Sequence, residues 1–182
     1  IFFLNSNYLY GRNFGETEIT AEEGIEVFQN EKYYLLKSNV KIESDNFVLL
    51  GDLIKISFDK DLHDIKIIDA KGNADLNSSK YNIKAKGNKI IFKIENEEIF
   101  IEGSNSKLIT SDTEMYSDGK IRVKNLSGEF FLSGPKSKIK NDNILIKGVN
   151  IDGVFSTQED TKEILLLNVE DKNIAYVKNK ET

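Results

Sequence analysis

From Ile19 to near the C-terminus, apolar and polar residues alternate with a period of two in short runs, and Gly, Asn, Asp or Ser interrupts them about every 8–12 positions. Helical periodicity is almost absent, so the chain is expected to be all-β. Gly24 to Phe28 alternates, Gln29-Asn30-Glu31-Lys32 turns the chain into 33–42, and Glu43-Ser44-Asp45-Asn46 leads to 47–50. Gly51-Asp52 then leads to 53–58, and further runs follow at 65–70, 81–85, 89–94, 98–102, 107–110, 120–123, 129–132, 143–147, 149–155 and 163–169. Most connectors are too short for crossover helices, so neighbouring strands are expected to pair antiparallel. Pro135 follows Gly134 in a turn, which suits an edge or corner.

The alternation also assigns faces. In 89–95, Ile90, Phe92 and Ile94 share one side against Lys89, Ile91, Lys93 and Glu95. Ile54, Ile56 and Phe58 follow the same scheme, as do Ile99 with Ile101, Ile121 with Val123, and Ile144 with Ile146. With Tyr34, Leu36, Val40 and Ile42 they form one apolar set running along successive strands. Periodicity alone leaves two readings of that set, a filled sandwich core and an open apolar groove.

Composition narrows function. Among 182 residues there is no Cys and one His, which removes thiol catalysis, disulfides, iron–sulfur clusters and multi-histidine metal centres. Lys plus Arg number 25 against 30 Asp plus Glu, a net charge of −5, and the lysines stand singly between acids. That gives no footprint for a phosphate backbone, so nucleic acid is not an expected partner. With 39% hydrophobic residues at this length, a self-sufficient core is expected.

The N-terminal cluster Ile1-Phe2-Phe3-Leu4, followed by polar Asn5-Ser6-Asn7, reads as the end of a signal peptide or membrane anchor. The alternative is an ordinary first strand. Residues 1–16 are therefore set apart from a β domain over 17–182. An internal repeat of about 60 residues relates Ile19-Thr20-Ala21-Glu22, Ile83-Lys84-Ala85-Lys86 and Ile144-Leu145-Ile146-Lys147, and 65–70 resembles 121–126. The stretch 163–177 reads as a repeat cut off part-way.

Four segments carry a family resemblance. Ile19-Thr20-Ala21-Glu22 is followed by Leu36-Lys37-Ser38-Asn39-Val40-Lys41-Ile42, similar to a "GNV-x-I" step with Ser38 in place of Gly. Leu50-Gly51-Asp52-Leu53-Ile54-Lys55-Ile56 is similar to "A-D-x-L-x-I", and Ile67-Ile68-Asp69-Ala70-Lys71-Gly72-Asn73-Ala74 to "I-x-A-x-G-x-V". In order and spacing these resemble the periplasmic lipopolysaccharide-transport proteins of the LptA/OstA-like type and their relative LptC, over residues 17–178. The resemblance implies a twisted, incompletely closed antiparallel β-jellyroll in the periplasm. It further implies that the inward set named above holds lipid A acyl chains, that copies and related jellyroll partners stack head to tail by edge strands, and that no cofactor or catalytic residue is present. Two other readings stand beside a lipid-shielding bridge: a membrane-anchored LptC-like acceptor, and a ligand-free β-repeat that polymerises edge to edge.

Other clusters read as surface. Asp59-Lys60-Asp61-Leu62-His63-Asp64 has oxygen ligands but lacks the turn glycine and closing Glu of a calcium loop, and reads as a hairpin turn. Glu95, Glu97 and Glu98, and Glu159, Asp160 and Glu163, read as solvated turns rather than a facing acid pair. Lys37, Lys41, Lys55, Lys66, Lys84, Lys86, Lys136 and Lys138 lie on wet strand faces, where lysine protects edges and keeps the chain soluble; steering of lipid phosphates is the alternative.

Overall fold

The computed structural model describes residues 13–60, 64–157 and 163–179, so Ile1–Leu4, His63, Glu159 and Asp160 lie outside the described residues. Among the described residues, fourteen strands form a single antiparallel sheet: β1 (Glu18–Thr20), β2 (Gly24–Phe28), β3 (Tyr33–Glu43), β4 (Phe47–Phe58), β5 (Ile65–Ser78), β6 (Ile83–Lys93), β7 (Glu98–Glu102), β8 (Ser106–Ile109), β9 (Glu114–Ser117), β10 (Lys120–Lys124), β11 (Glu129–Lys140), β12 (Ile144–Phe155), β13 (Ile164–Glu170) and β14 (Tyr176–Asn179).

The sheet is folded over along one transverse crease. The ladders skip or bulge at Ser38-Asn39 in β3, Gly51-Asp52 in β4, Gly72-Asn73 in β5 and Gly134-Pro135-Lys136 in β11. β7–β8 and β9–β10 are long strands broken at the same line, by 103–105 and by Asp118-Gly119. On one side lies a first wall made of 24–28, 33–37, 53–58, 65–71, 89–93, 98–102, 120–124, 129–133, 150–155 and 164–170. On the other lies a second wall made of 18–20, 40–43, 47–51, 74–78, 83–87, 106–109, 114–117, 137–140, 144–148 and 176–179. The inner residues of both walls belong to one buried cluster, so the two faces pack on each other.

A bend in every strand needs backbone conformations that most residues resist. Asn39, Asn73, Asn105 and Lys136 adopt positive φ on alternate strands, 34, 32 and 31 residues apart. Asp52, Asn88, Asp118 and Asn150 on the intervening strands reach across to them or their neighbours. Asp52 accepts from the Asn73 amide at 3.2 Å, Asn88 packs on Gly103, and Asn150 accepts from the Ser133 hydroxyl at 2.9 Å. Asp118 gathers the most: the Asn105 N–H at 3.0 Å, the Tyr116 hydroxyl at 2.8 Å and the Lys136 ammonium at 2.8 Å. These bonds, the Lys136 one foremost, lower its pKa to about 2.

The repeat is therefore a strand pair of about 32 residues, and the 64- and 61-residue spacings join strands four apart. Ile83 and Ile144 sit at equivalent places on the second wall, whereas Ile19 lines up through the ladders with Ala85 and Ile146 and is offset from them by two residues. The match of 65–70 to 121–126 does not correspond in space, because the first runs towards the crease and the second away from it.

Inner side chains are small beside the crease on the second wall, with Ala74, Gly87, Ser106, Ser117 and Ser137 all buried. The three serines donate to crease carbonyls of Gly103, Ser133 and Gly134 at 2.8–3.0 Å, which answers the hydrogen-bond deficit of a bent strand inside an apolar core. A Cβ on Gly119 would collide with the Ser133 carbonyl oxygen, so the backbones of β9–β10 and β11 approach there as only glycine allows.

Two outcomes are expected. Gly119→Ala lowers stability by about 1–3 kcal/mol, read by urea unfolding, because a neighbouring backbone must move. Asp118→Asn tests the ion cluster: a carboxylate with a lowered folded pKa stabilises the protein above its ordinary pKa, and that contribution is lost as pH falls towards about 2. The melting temperatures of wild type and variant should differ at neutral pH and converge on acidification; a constant gap across the pH range would contradict the assignment.

Candidate functional site

The two walls part at the margin opposite the crease. Along that margin the first wall ends in aromatic rings at β3–β4, where Tyr34 and Phe58 lie 5.2 Å apart, and at β11–β12, where Phe130 and Phe155 lie 4.3 Å apart. Between them, on β7 and β10, the margin residues are Ile99 and Val123. These shorter side chains do not fill the space, and a cavity of about 90 Å³ opens there. Its apolar lining comes from both walls: Phe92, Ile99 and Val123 of the first, Ile83 and Leu108 of the second. Tyr81, from the turn before β6, closes one end by an edge-on contact with Phe92 at 5.1 Å. A second cavity of about 160 Å³ shares Val123 and Asn125 and continues the trough to Phe155 and Thr157.

The rim is polar. Asn125 donates to the Glu97 carboxylate at 2.6 Å, and Asn82, Thr110 and Ser111 complete the edge. Just outside, on the outer face of the first wall, the Glu98 side chain is only 8% exposed. Lys93 donates to it at 2.8 Å and Arg122 donates to its other oxygen, and these bonds hold its pKa below the ordinary carboxylate range against the opposing effect of burial. Glu95, Glu97 and Glu98 thus do not converge as a facing pair: Glu97 is tied to Asn125 and Glu98 to two cations.

The inward set expected from alternation falls on the inner faces. Leu36, Val40, Ile42, Ile54, Ile56, Phe58, Ile90, Phe92, Ile99, Ile101, Ile121, Val123 and Ile146 are buried, and Tyr34, Ile94 and Ile144 are partly buried against the same cluster. Only Phe92, Ile99 and Val123 of the set line the trough; the rest pack into the wedge between the walls. Leu108, Ile83 and Tyr81 complete the trough and were not in that set. All three carry the same alternation signal, Tyr81 within the run 81–85, although the structure begins β6 at Ile83 and leaves Tyr81 in the preceding turn. The site holds oxygens of Glu97, Asn125, Thr110 and Ser111 at its rim and hydrocarbon inside, an arrangement that can desolvate an apolar chain but offers no nucleophile–base pair.

Comparison with known proteins adds the lineage. No curated protein matches the chain. Among solved structures it is similar to LptH, the LptA homologous periplasmic component of the lipopolysaccharide transport device of Pseudomonas aeruginosa, with a TM-score of 0.49 and 15% identity over 60% of this chain and 76% of that one. The profile of the family described as LptA/(LptD N-terminal domain) LPS transport protein matches residues 18–148, from β1 into β12. That stretch is well over half of the sequence, and the chain belongs to this lipopolysaccharide-transport family.

Proposed function

We propose that this chain is a periplasmic bridge that shields lipid A acyl chains between its two walls while lipopolysaccharide passes from the inner to the outer membrane. The observation that carries this reading is the apolar trough at the free margin beside Ile99 and Val123, bounded by both walls and rimmed by polar groups. Each acyl CH₂ that leaves water gains about 0.8 kcal/mol, so a chain of about a dozen gains on the order of 10 kcal/mol, enough to hold the walls apart over part of their length. The rim leaves sugars and phosphates outside, and an apolar chain enters sideways rather than threading from an end.

The sheet ends support the second half of the proposal. β1 and β2 pair only with β3, and β13 and β14 only with β12, so among the described strands both ends carry unpaired backbone rows. Such edges call for a strand from another molecule. A copy placed with β1–β2 against β13–β14 continues both walls and the trough, and a related jellyroll partner can do the same.

A second reading, the ligand-free repeat, is favoured by one observation: thirteen of the sixteen inward residues are already buried against protein.

Photo-crosslinking separates the two readings. A benzophenone amino acid at inward Phe92 should capture lipopolysaccharide, and one at outward Lys93 should not; equal capture or none moves the ligand-free repeat ahead. Sedimentation velocity over a range of concentrations should resolve species larger than the monomer, and a monomer throughout, with no pairing to related jellyroll proteins, would contradict the head-to-tail contact.

A further inference from the structure

Cross-strand register brings together on the outer face of the second wall residues far apart in sequence. Tyr116 of β9 lies opposite Lys138 of β11, Lys138 opposite Lys147 of β12, and Lys147 opposite Tyr176 of β14. Ile139 and Ile146 beside them are buried inward, so this row points to solvent, on the opposite side of the sheet from the apolar core. Four strands span three spacings of about 4.8 Å, and the row is about 14 Å long.

Two properties set it apart from ordinary surface lysine. Lys138 and Lys147 are like charges directly opposite each other, an arrangement that destabilises a sheet. They are also without a carboxylate within 4.0 Å among the described residues, as are Lys140 and Lys178 one step along the same strands. Further along the wall Lys86 is paired with Asp75 at 3.3 Å and Lys107 with Glu114 at 3.9 Å, although Glu114 stands opposite Lys140 in register, while Lys84 stands opposite the uncharged Asn77 and Ile109 rather than another cation. Among the described residues, Lys138, Lys147 and Lys178 thus stand together with neither an ion-pair partner nor an acid opposite them in register, and Lys140 beside them has only Glu114 opposite, itself paired with Lys107. Each central lysine leans away from the other, over a tyrosine: Lys138 lies 5.9 Å from the Tyr116 ring centre and Lys147 5.7 Å from that of Tyr176. The Tyr116 ring is fixed by its hydroxyl bonds to Asn105 and Asp118 at 2.8 Å, and Tyr176 is 40% exposed.

We infer that the row Tyr116–Lys138–Lys147–Tyr176 is a binding track for an acidic oligosaccharide, with the two lysines taking its anionic groups and the flanking rings its sugar faces. The charge is complementary, and the single-file spacing of cations between rings suits a linear, ringed polyanion better than a flat anionic surface. An anion between Lys138 and Lys147 also relieves their mutual repulsion.

Fluorescence anisotropy with fluorescein-labelled oligogalacturonate at low salt tests the assignment, with uncharged dextran as control. Wild type should bind the oligogalacturonate saturably and ignore dextran. The double variant Lys138→Gln/Lys147→Gln should lose about tenfold in affinity, while Lys37→Gln/Lys120→Gln on the other wall, with the same change in net charge, stays within about twofold. Tyr176→Ala should weaken binding several-fold. Because neutralising Lys138 and Lys147 removes a repulsion, the double variant should melt no lower than wild type. No saturable binding, equal losses in both double variants, a lowered melting temperature for Lys138→Gln/Lys147→Gln, or binding to phosphatidylglycerol vesicles in place of the oligosaccharide would overturn the inference.

Discussion

Everything in this molecule depends on how a wedge is filled. Two walls joined along a crease are closest at the crease and farthest apart at the margin, so inner side chains must grow in that direction if the space between is to be packed. Beside the crease the second wall presents Ala74, Gly87 and three serines, and the first wall answers with larger residues; a Cβ on Gly87 would meet Ile101 Cγ2 at 2.6 Å. Isoleucine and leucine fill the middle. Aromatic rings fill the margin wherever they occur, and where Ile99 and Val123 replace them the trough opens. The site is thus not an addition to the fold but the place where the size gradient falls short.

The crease imposes its own chemistry. Bending each strand at one line breaks backbone pairing there, and the deficit is met from both sides. Asx side chains and Lys136 answer it outside, and serine hydroxyls inside. Because the bend is made strand by strand, each pair of strands is a complete unit, and its pattern recurs about every 32 residues. Nothing in the unit limits how many follow one another, and among the described strands each end of the sheet carries an unpaired backbone row.

Alternation made the strands and their inner faces legible in the sequence, and the family resemblance supplied the folded-over architecture. The crease was legible only as punctuation. Gly51-Asp52 and the 86–88 gap read as turns between strands, whereas the structure runs β4 and β6 straight through them and bends the sheet instead. The physical reason is that a hairpin turn and an in-strand bulge draw on the same residues, Gly, Asn and Asp, for the same freedom in φ. Only long-range pairing tells them apart, and a local pattern does not carry it. For the same reason the second-wall runs 74–78, 114–117 and 136–140 went unread. Each has one large apolar inner residue, Leu76, Met115 or Ile139, beside a small or polar one, Ala74, Ser117 or Ser137, and a single apolar position does not register as alternation.

The outer faces obey a different rule from the inner ones. Inside, a residue is fixed by volume; outside, it is free to vary in charge so long as cross-strand neighbours do not repel. On the first wall that rule is kept even where it is difficult. Glu98 is nearly buried, but it stands opposite Lys93 and is bonded to both Lys93 and Arg122. Lys71 and Lys89 stand opposite each other, with Asp69 4.0 Å from each. The Lys138–Lys147 pair departs from it, with no carboxylate within 4.0 Å of either lysine among the described residues. One facing lysine pair is compensated and the other, among the described residues, is not, on the same sheet and with acids in excess; that contrast is what the inference of an external polyanion rests on.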